Sequence, residues 1–518
     1  MKKIFKTVMV FSLVLLASCD DYIEVEPIGP NADNYFNNEQ EYESALIGAY
    51  DMLQSSFWNV LVGVVASDDY AAGGDSFNFD QPTIQNVNQM IHTPSDNNQL
   101  RDIWNLMYAG LNRANYLLEF KDKTQFNGKE QIIAQAYFLR AYFTFELTKH
   151  FGNIPLKVET RGGVSRIADQ RTIIGEQYDI NRVGSISAVY SLIEEDLKEA
   201  IPNLLAEQSE VYRVTKGAAQ ALLGKVYLYH GTFDATKFAD AATTFSEVIG
   251  SAQYSLKTGD DYKNLFESSA ENGDESVFEI QYTGVEPAGW SCIICSEGSY
   301  FPKFCGPRSP YDNSEFVTGW GFCLPSQELY DLFDANDARR DVTFYDLRDQ
   351  QDSYSQGRDD TGLFNKKYIP RKSDDRAGSD PLNFANNYRS IRYADVLLMK
   401  AEADGENAAS YELINQVRRR AFGKDPSIAD FIIDISAASS GTFSEKVMLE
   451  RRREFLFENH RWFDLKRLPP SEALSIINAH LTSEYGDAPT MDAHSLIYPI
   501  PQSEIDISDG LVTQNPGY

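Results

Sequence analysis

The stretch Ser291 to Cys305, SCIICSEGSYFPKFC, carries three of the chain's five cysteines beside three aromatic rings, and Cys323 follows in GWGFC. Residues of these types at this spacing support three chemistries: a thiolate metal site, a disulfide clasp, or a ring-lined face for a ligand. Cys292 and Cys295 form a C-x-x-C, but a zinc ribbon needs a second close pair, and Cys305 and Cys323 stand eighteen residues apart. In a reducing compartment a metal would still be worth considering, whereas in an oxidising one cysteines persist as disulfides. Four cysteines allow three pairings, and sequence does not choose among them. The working expectation is a nested arrangement, Cys292–Cys323 around Cys295–Cys305. Closing a loop of about 30 residues contributes ~3–4 kcal/mol on the chain-entropy account. A stiffened loop also loses less entropy when it binds.

The rings around the cysteines are the second chemistry. Trp290, Tyr300, Phe301, Tyr311, Trp320 and Phe322 fall in a segment rich in turn residues. Exposed aromatic rings can stack on neutral ligands, whose hydroxyls or other polar groups seek Asp, Asn, Gln or Arg. The expected ligand-binding set is Trp290, Tyr300, Trp320 and Tyr311, led by Trp290 and Tyr300. The early loop ASDDYAAGGDSFNF is expected beside them, with Asp68 and Asp69 as hydroxyl acceptors and Tyr70 as a further ring. The competing expectation is that about half of these rings fill a small core. Trp320 and Phe322 are the first candidates for that, because GWGF runs into the helix-like PSQELYDLF.

Other chemistries find no support. The sequence contains no H-E-x-x-H, G-x-S-x-G, G-x-x-x-x-G-K-[ST] or G-x-G-x-x-G. With 76 acidic residues, any carboxylate pairing occurs by abundance alone. His92, His150, His230, His460, His480 and His494 are scattered, and DANDARRD lacks the glycine and distant glutamate of a calcium loop. No metal, no cofactor and no catalysis are expected. A formal charge of −29 repels nucleic acid.

The elements that must position these residues are mostly helices. Tyr42, Leu46, Tyr50 and Leu53 recur at helical spacing, as do Ile103, Met107, Leu111 and Tyr116. A third stripe, Ile132, Ala136, Leu139, Phe143 and Leu147, follows Asn127 and Glu130 in a capping-box arrangement and stops at Gly152. Further helices are expected at 187–201, 215–230, 238–249, 393–403, 411–422 and 442–468. Small residues in KGAAQALLGKVYLYHG and FADAATTFSEVIG let paired helices approach closely, which points to tetratricopeptide-like pairs. The fold class is therefore mainly α, one scaffold of helical pairs, with a loop-rich insertion containing short strands such as 276–282. In ERRREFLFENHRWFDLKR, Glu450, Glu454 and Glu458 stand four apart. Arg451, Arg461 and Asp464 can lie close by, and the arginines are expected to thread the acids into a structural ion network, with Trp462 and Phe463 as core wedges.

The chain opens MKKIFK and runs apolar from Val8 to Ala17, a secretory signal too short to span a bilayer. It ends Leu16-Ala17-Ser18-Cys19, which resembles a bacterial lipobox. Cys19 is expected to carry the lipid, and Asp20-Asp21 resembles an acidic surface-export signal. The expected organisation is a signal peptide (1–18), an acidic tether (19–37), a helical region (38–250), the loop-rich insertion (251–387) and a second helical region (388–518) packed on the first.

The order of AQAYFLRAYFTFELTKHFGNIPL, RVTKGAAQALLGKVYLYHG, IRYADVLLMKAEA, INQVRRRAF, ERRREFLFENHRWFDLKRL and IYPIPQSEIDISDGLVTQNPGY resembles the SusD/RagB family across nearly the whole chain. These are surface glycan-binding lipoproteins of starch-utilisation-type systems. The resemblance implies a non-catalytic helical protein, anchored by lipid to the outer membrane and exposed at the cell surface. It also implies a TonB-dependent, SusC-like transporter as partner and an oligosaccharide or polysaccharide as ligand. The alternative it leaves open is capture of oligopeptides on the same scaffold. Within the family, GWGF resembles a packing motif and the charged helix is scaffold.

Overall fold

The computed structural model describes residues 34–170, 180–285, 297–309, 311, 313, 315–374, 383–486 and 490–518. Eight longer helices precede residue 251 among these: α1 (Glu39–Asp51), α2 (Phe57–Val65), α3 (Pro82–Asn88), α4 (Asn98–Glu119), α5 (Lys129–Phe151), α6 (Ile186–Ala200), α7 (Lys216–His230) and α8 (Lys237–Gly250). The chain returns to helices at α9 (Tyr393–Asp404), α10 (Ala408–Ala421), α11 (Phe443–Glu454), the short α12 (Arg461–Lys466) and α13 (Pro470–Tyr485). Side chains fix several starts. Asn97, Ser185 and Thr215 accept hydrogen bonds from backbone N–H groups in the first turns of α4, α6 and α7. Thr442 and Glu445 form a reciprocal capping box on α11.

The predicted stripes face inward: Leu46, Met107, Leu111, Leu139, Phe143 and Leu147 are all fully buried. Successive helices pack in pairs, α4 on α5, α5 on α6, α7 on α8 and α8 on α9. Close approach needs glycine at the contacts. A Cβ on Gly224 of α7 would lie 2.6 Å from the Phe245 ring of α8, and one on Gly110 of α4 would lie 2.5 Å from the Phe143 ring of α5. One apolar cluster draws on residues from Phe36 to Val512, so the first and last helical regions share a core.

The strands are short and pair two by two, all antiparallel: β1 (Tyr70–Gly73) with β5 (Phe322–Pro325), β2 (Val158–Arg161) with β3 (Val164–Ile167), β4 (Ser276–Ile280) with β8 (Tyr388–Arg392), and β6 (Phe344–Asp346) with β7 (Leu363–Asn365). The strand expected from 276 is β4.

Two expectations are corrected. Asn127 does not cap α5. The helix starts after Gly128, whose left-handed backbone (φ 86°) turns the chain without a capping side chain. The segment 442–468 is not one helix. It breaks after Glu454, with Phe457 and Asn459 at φ 65° and 63°.

That break serves the ion network, which is buried. Glu450 meets Arg339 at 2.6 Å and Arg418 at 2.7 Å, and Glu454 meets Arg420 at 2.6 Å and Arg392 at 3.0 Å. Glu458, turned off the helix, meets Lys367 at 2.6 Å and Arg392 at 2.7 Å. The arginines expected to thread these glutamates bind elsewhere: Arg451 bridges Asp395 and Asp464 at 2.7 and 2.9 Å, and Arg461 pairs with Asp68 at 2.7 Å. Burial alone would push the Glu454 carboxyl up, but Arg420, Arg392 and Arg339 hold it at about 2. Trp462 and Phe463 are core wedges as expected, both fully buried.

Candidate functional site

The early loop and the cysteine-bearing segment are brought into contact by β1 and β5, with Tyr70 opposite Pro325 and Gly73 opposite Phe322. The Gly74 N–H extends the ladder by donating to the Gly321 carbonyl at 2.7 Å. A third segment joins when the Arg358 N–H donates to the Gly74 carbonyl at 3.0 Å and Ser355 bridges to Arg308. The fit is close enough to need glycine, since a Cβ on Gly357 would lie 2.4 Å from the Gly74 oxygen.

From this junction, residues 74–81 project as a loop held by its own acids. Asp75 Oδ1 accepts the N–H groups of Phe77 and Asn78 at 2.8 and 2.9 Å, and Asp80 Oδ1 accepts the Asp75 N–H at 2.7 Å. Arg308 ties the loop down. It donates to Asp75 Oδ2 at 3.0 Å and to the Trp320 carbonyl at 2.8 Å, with Asp80 at 3.7 Å. The Asn78 and Phe77 N–H groups, with Arg308, hold the Asp75 carboxyl below the usual range. The result is a fixed backbone carrying two rings into solvent, Phe77 94% exposed and Phe79 44% exposed. The Arg358 guanidinium lies 5.2 Å from the Phe79 ring centroid, a cation–π contact. Rings presented on a clamped loop, with the Arg358 guanidinium against Phe79, can stack on the apolar face of a ligand.

The residues singled out from sequence are distributed differently. Tyr300 is a core residue, 4% exposed and packed edge-to-face on Phe57, Trp58, Phe304 and Trp320 at centroid distances of 5.8, 5.9, 5.1 and 5.4 Å. It cannot serve as a platform, because α2 covers it. Phe301 and Phe322 are buried too, whereas Trp320 is half-buried, edge-on to Phe304 with the Lys303 ammonium 5.9 Å from its ring. Tyr311 is half-buried, its hydroxyl bonded to that of Tyr345, and the Asn313 amide donates to both at 2.7 and 2.8 Å.

The expected hydroxyl acceptors are already paired. Asp68 takes both arms of Arg461 at 2.7 and 2.8 Å, and Asp69 binds Arg452 at 2.6 Å. Burial raises the Asp68 carboxyl, but Arg461 and Arg452 outweigh it and hold it at about 2. Tyr70 is buried, and its hydroxyl accepts the Phe457 N–H at 2.8 Å. These three residues fasten the first helical region to the last, and Asp68 and Tyr70 also line a separate cavity of about 490 Å³ with Arg452 and His480.

Cys305 and Cys323 are free, buried thiols, so the nested pairing is absent at both. The Asn365 amide donates to Cys305 Sγ at 3.1 Å, and burial raises both thiols. Their sulfurs are core atoms, and the β1–β5 pairing supplies the stiffness expected of a clasp. Cys19, Trp290, Cys292 and Cys295 lie outside the described residues. Among the described residues, no group of three or more His, Cys, Asp or Glu is placed to hold a metal ion, and no helix is long and apolar enough to cross a membrane.

Sequence reasoning named the loop but missed Phe77, Phe79, Arg308 and Arg358. The usable signal was GGDSFNFD: two rings set among glycines and short polar residues have nothing nearby in sequence to bury them.

The whole chain has counterparts. A family model described as "SusD family" matches residues 340–518, and one described as "Starch-binding associating with outer membrane" matches residues 21–228. The SusD-like protein P2 of Formosa agariphila is 28% identical over 540 residues, covering 100% of both chains. A laminarin binding SusD-like protein of known structure is 31% identical with a TM-score of 0.78, covering 93% of this chain and 100% of its own. Surface glycan-binding protein A from Bacteroides thetaiotaomicron, solved in complex with laminarihexaose, is 26% identical with a TM-score of 0.77, covering 92% of this chain and 99% of its own. Matched near both ends by these models and along nearly its full length by a solved relative, the chain belongs to the SusD family.

Proposed function

We propose that the protein is a non-catalytic surface receptor that captures an oligosaccharide or polysaccharide on the face around Phe77 and Phe79. In this reading, Cys19 carries the lipid that holds it at the outer membrane, and the captured glycan passes to a TonB-dependent, SusC-like transporter. The observation that carries the binding role is the pair of exposed rings on a loop whose backbone is already fixed. An exposed phenylalanine has no hydration to recommend it, and a pre-ordered loop keeps the entropy cost of binding low. Stacking on each ring contributes about 1–3 kcal/mol by analogy with bases on aromatics. Two similar proteins bind laminarin or laminarihexaose, which makes these the first glycans to try.

The test is one calorimetric screen of the mature protein against laminarihexaose, other soluble oligosaccharides and a set of oligopeptides. Saturable heat with a glycan and none with peptides is the expected result. Peptide binding with no glycan binding would replace this reading by the peptide one. For the partner, purification from outer membranes in mild detergent should bring down a large β-barrel protein.

A further inference from the structure

A second cavity lies far along the chain from the ring-bearing loop, where the ends of α5 and α7 meet the starts of α6, α8 and α13. It encloses about 470 Å³, and Lys149, Tyr190, Phe233, Phe463, Lys466 and Leu496 are among its lining residues. Its walls are mainly apolar, and Phe233, 55% exposed, stands at its rim.

The cations around it are not equally satisfied. Lys149 is paired with Glu146 at 2.6 Å. Arg467 is paired with both Glu402 and Asp464. Lys466 meets no carboxylate among the described residues. Its ammonium donates to the Lys149 backbone carbonyl and lies 5.6, 5.6 and 5.7 Å from the ring centroids of Trp462, Phe463 and Tyr498. A carbonyl and ring faces soften an ammonium's loss of water without neutralising it. Burial, helped by the charge of Lys149, lowers the Lys466 ammonium to about 7, so at neutral pH the side chain is divided between the neutral amine and a cation short of a counter-ion, and an anion would favour the cation.

We propose that this cavity binds a small amphipathic monocarboxylate, with the carboxylate on Lys466 and an aromatic or aliphatic body against Tyr190, Phe233 and Phe463. One uncompensated cation calls for one negative charge, and the apolar walls favour a body without hydroxyls. A volume in the range of ordinary small-molecule sites sets the size. The site is independent of the glycan-binding loop.

The test uses the mature full-length protein and two isosteric probes, 3-phenylpropionate and its neutral amide. By calorimetry at pH 7 the acid should bind at least tenfold more tightly than the amide. At pH 8.5 the acid's binding should take up protons, read from the dependence of the heat on buffer ionisation. The groups around Lys466 that must be considered are Lys149, Arg467, His92, His150 and Tyr498; neither histidine supplies the proton, since burial holds both imidazoles near 3. Lys466→Met removes an unpaired cation in favour of an apolar chain of similar length. It should melt no lower than the parent and lose the acid's advantage while binding laminarihexaose unchanged. Equal binding of acid and amide, absence of acid binding at millimolar concentration, or a folded Lys466→Met that keeps the preference would each overturn the proposal.

Discussion

The Arg308 guanidinium lies 3.0 Å from the Asp75 carboxylate although 233 residues separate them in sequence. That contact joins the turn-rich insertion to the early loop and sets the direction in which Phe77 and Phe79 point. Arg308→Ala should therefore loosen the loop more than it unfolds the protein. Partly exposed ion pairs contribute about 0–1 kcal/mol, so the melting temperature should fall little. Glycan affinity should drop about three- to tenfold as ordering entropy returns to the binding step. Calorimetry beside a thermal melt separates the two effects, and a large loss of stability with unchanged affinity would reverse this assignment.

The buried ion network makes the protein acid-sensitive in a definite window. Glu454 and Asp464 are held at about 2, below their unfolded values near 4, by arginines that outweigh the cost of burial. Their contribution is present above about pH 4.5 and is lost as pH falls towards 2. Denaturant midpoints measured from pH 6 down to pH 2.5 should fall steeply below about 4.5. Arg392→Met, which leaves Glu275, Glu454 and Glu458 short of a partner, should cost about 3–5 kcal/mol at pH 7.

Glu271 works in the opposite sense. Burial raises its carboxyl to about 7, with Arg389 only partly offsetting it. A raised carboxyl contributes stability below its unfolded value, and that stability is lost as pH rises through 7. Glu271→Gln should be more stable than the parent at pH 8 and lose that advantage by about pH 4. A gap that does not change with pH would show that Glu271 does not titrate as described.

Cys305 and Cys323 should resist a thiol reagent in the native protein and react once it is unfolded. Both are buried thiols whose pKa burial raises, so little of either is thiolate, the form that reacts. Peptide mapping by mass spectrometry after native and denatured labelling reads each position separately. Either residue recovered in a disulfide would restore the clasp.

Cys19→Ala, expressed with labelled fatty acid, should lose the label and leave the membrane fraction. Label retained on the variant would remove Cys19 as the anchor.

Helix periodicity carried most of the architecture. The three stripes between Leu46 and Leu147 are read off the sequence because burial of one helix face repeats every three to four residues. The break at Phe457 was not readable. It turns Glu458 towards Lys367 and Arg392, partners far away in sequence. The site was half legible for the same reason. Glycine and turn residues marked both segments as loops, and β1–β5 joins them. Whether a ring is platform or core depends on what covers it. Tyr300 is covered by Phe57 and Trp58 of α2, while nothing in the described structure covers Phe77.

The central claim is that Phe77 and Phe79 form the glycan platform, and titrating laminarihexaose into the parent, Phe77→Ala and Phe79→Ala tests it most directly. Both rings are exposed, so melting temperatures should stay within about a degree or two of the parent, as surface substitutions usually do. Each variant should bind at least tenfold more weakly, since ~1.4 kcal/mol of lost stacking is a factor of ten. Parent-like affinity in both folded variants would contradict the account and place the site elsewhere on the protein.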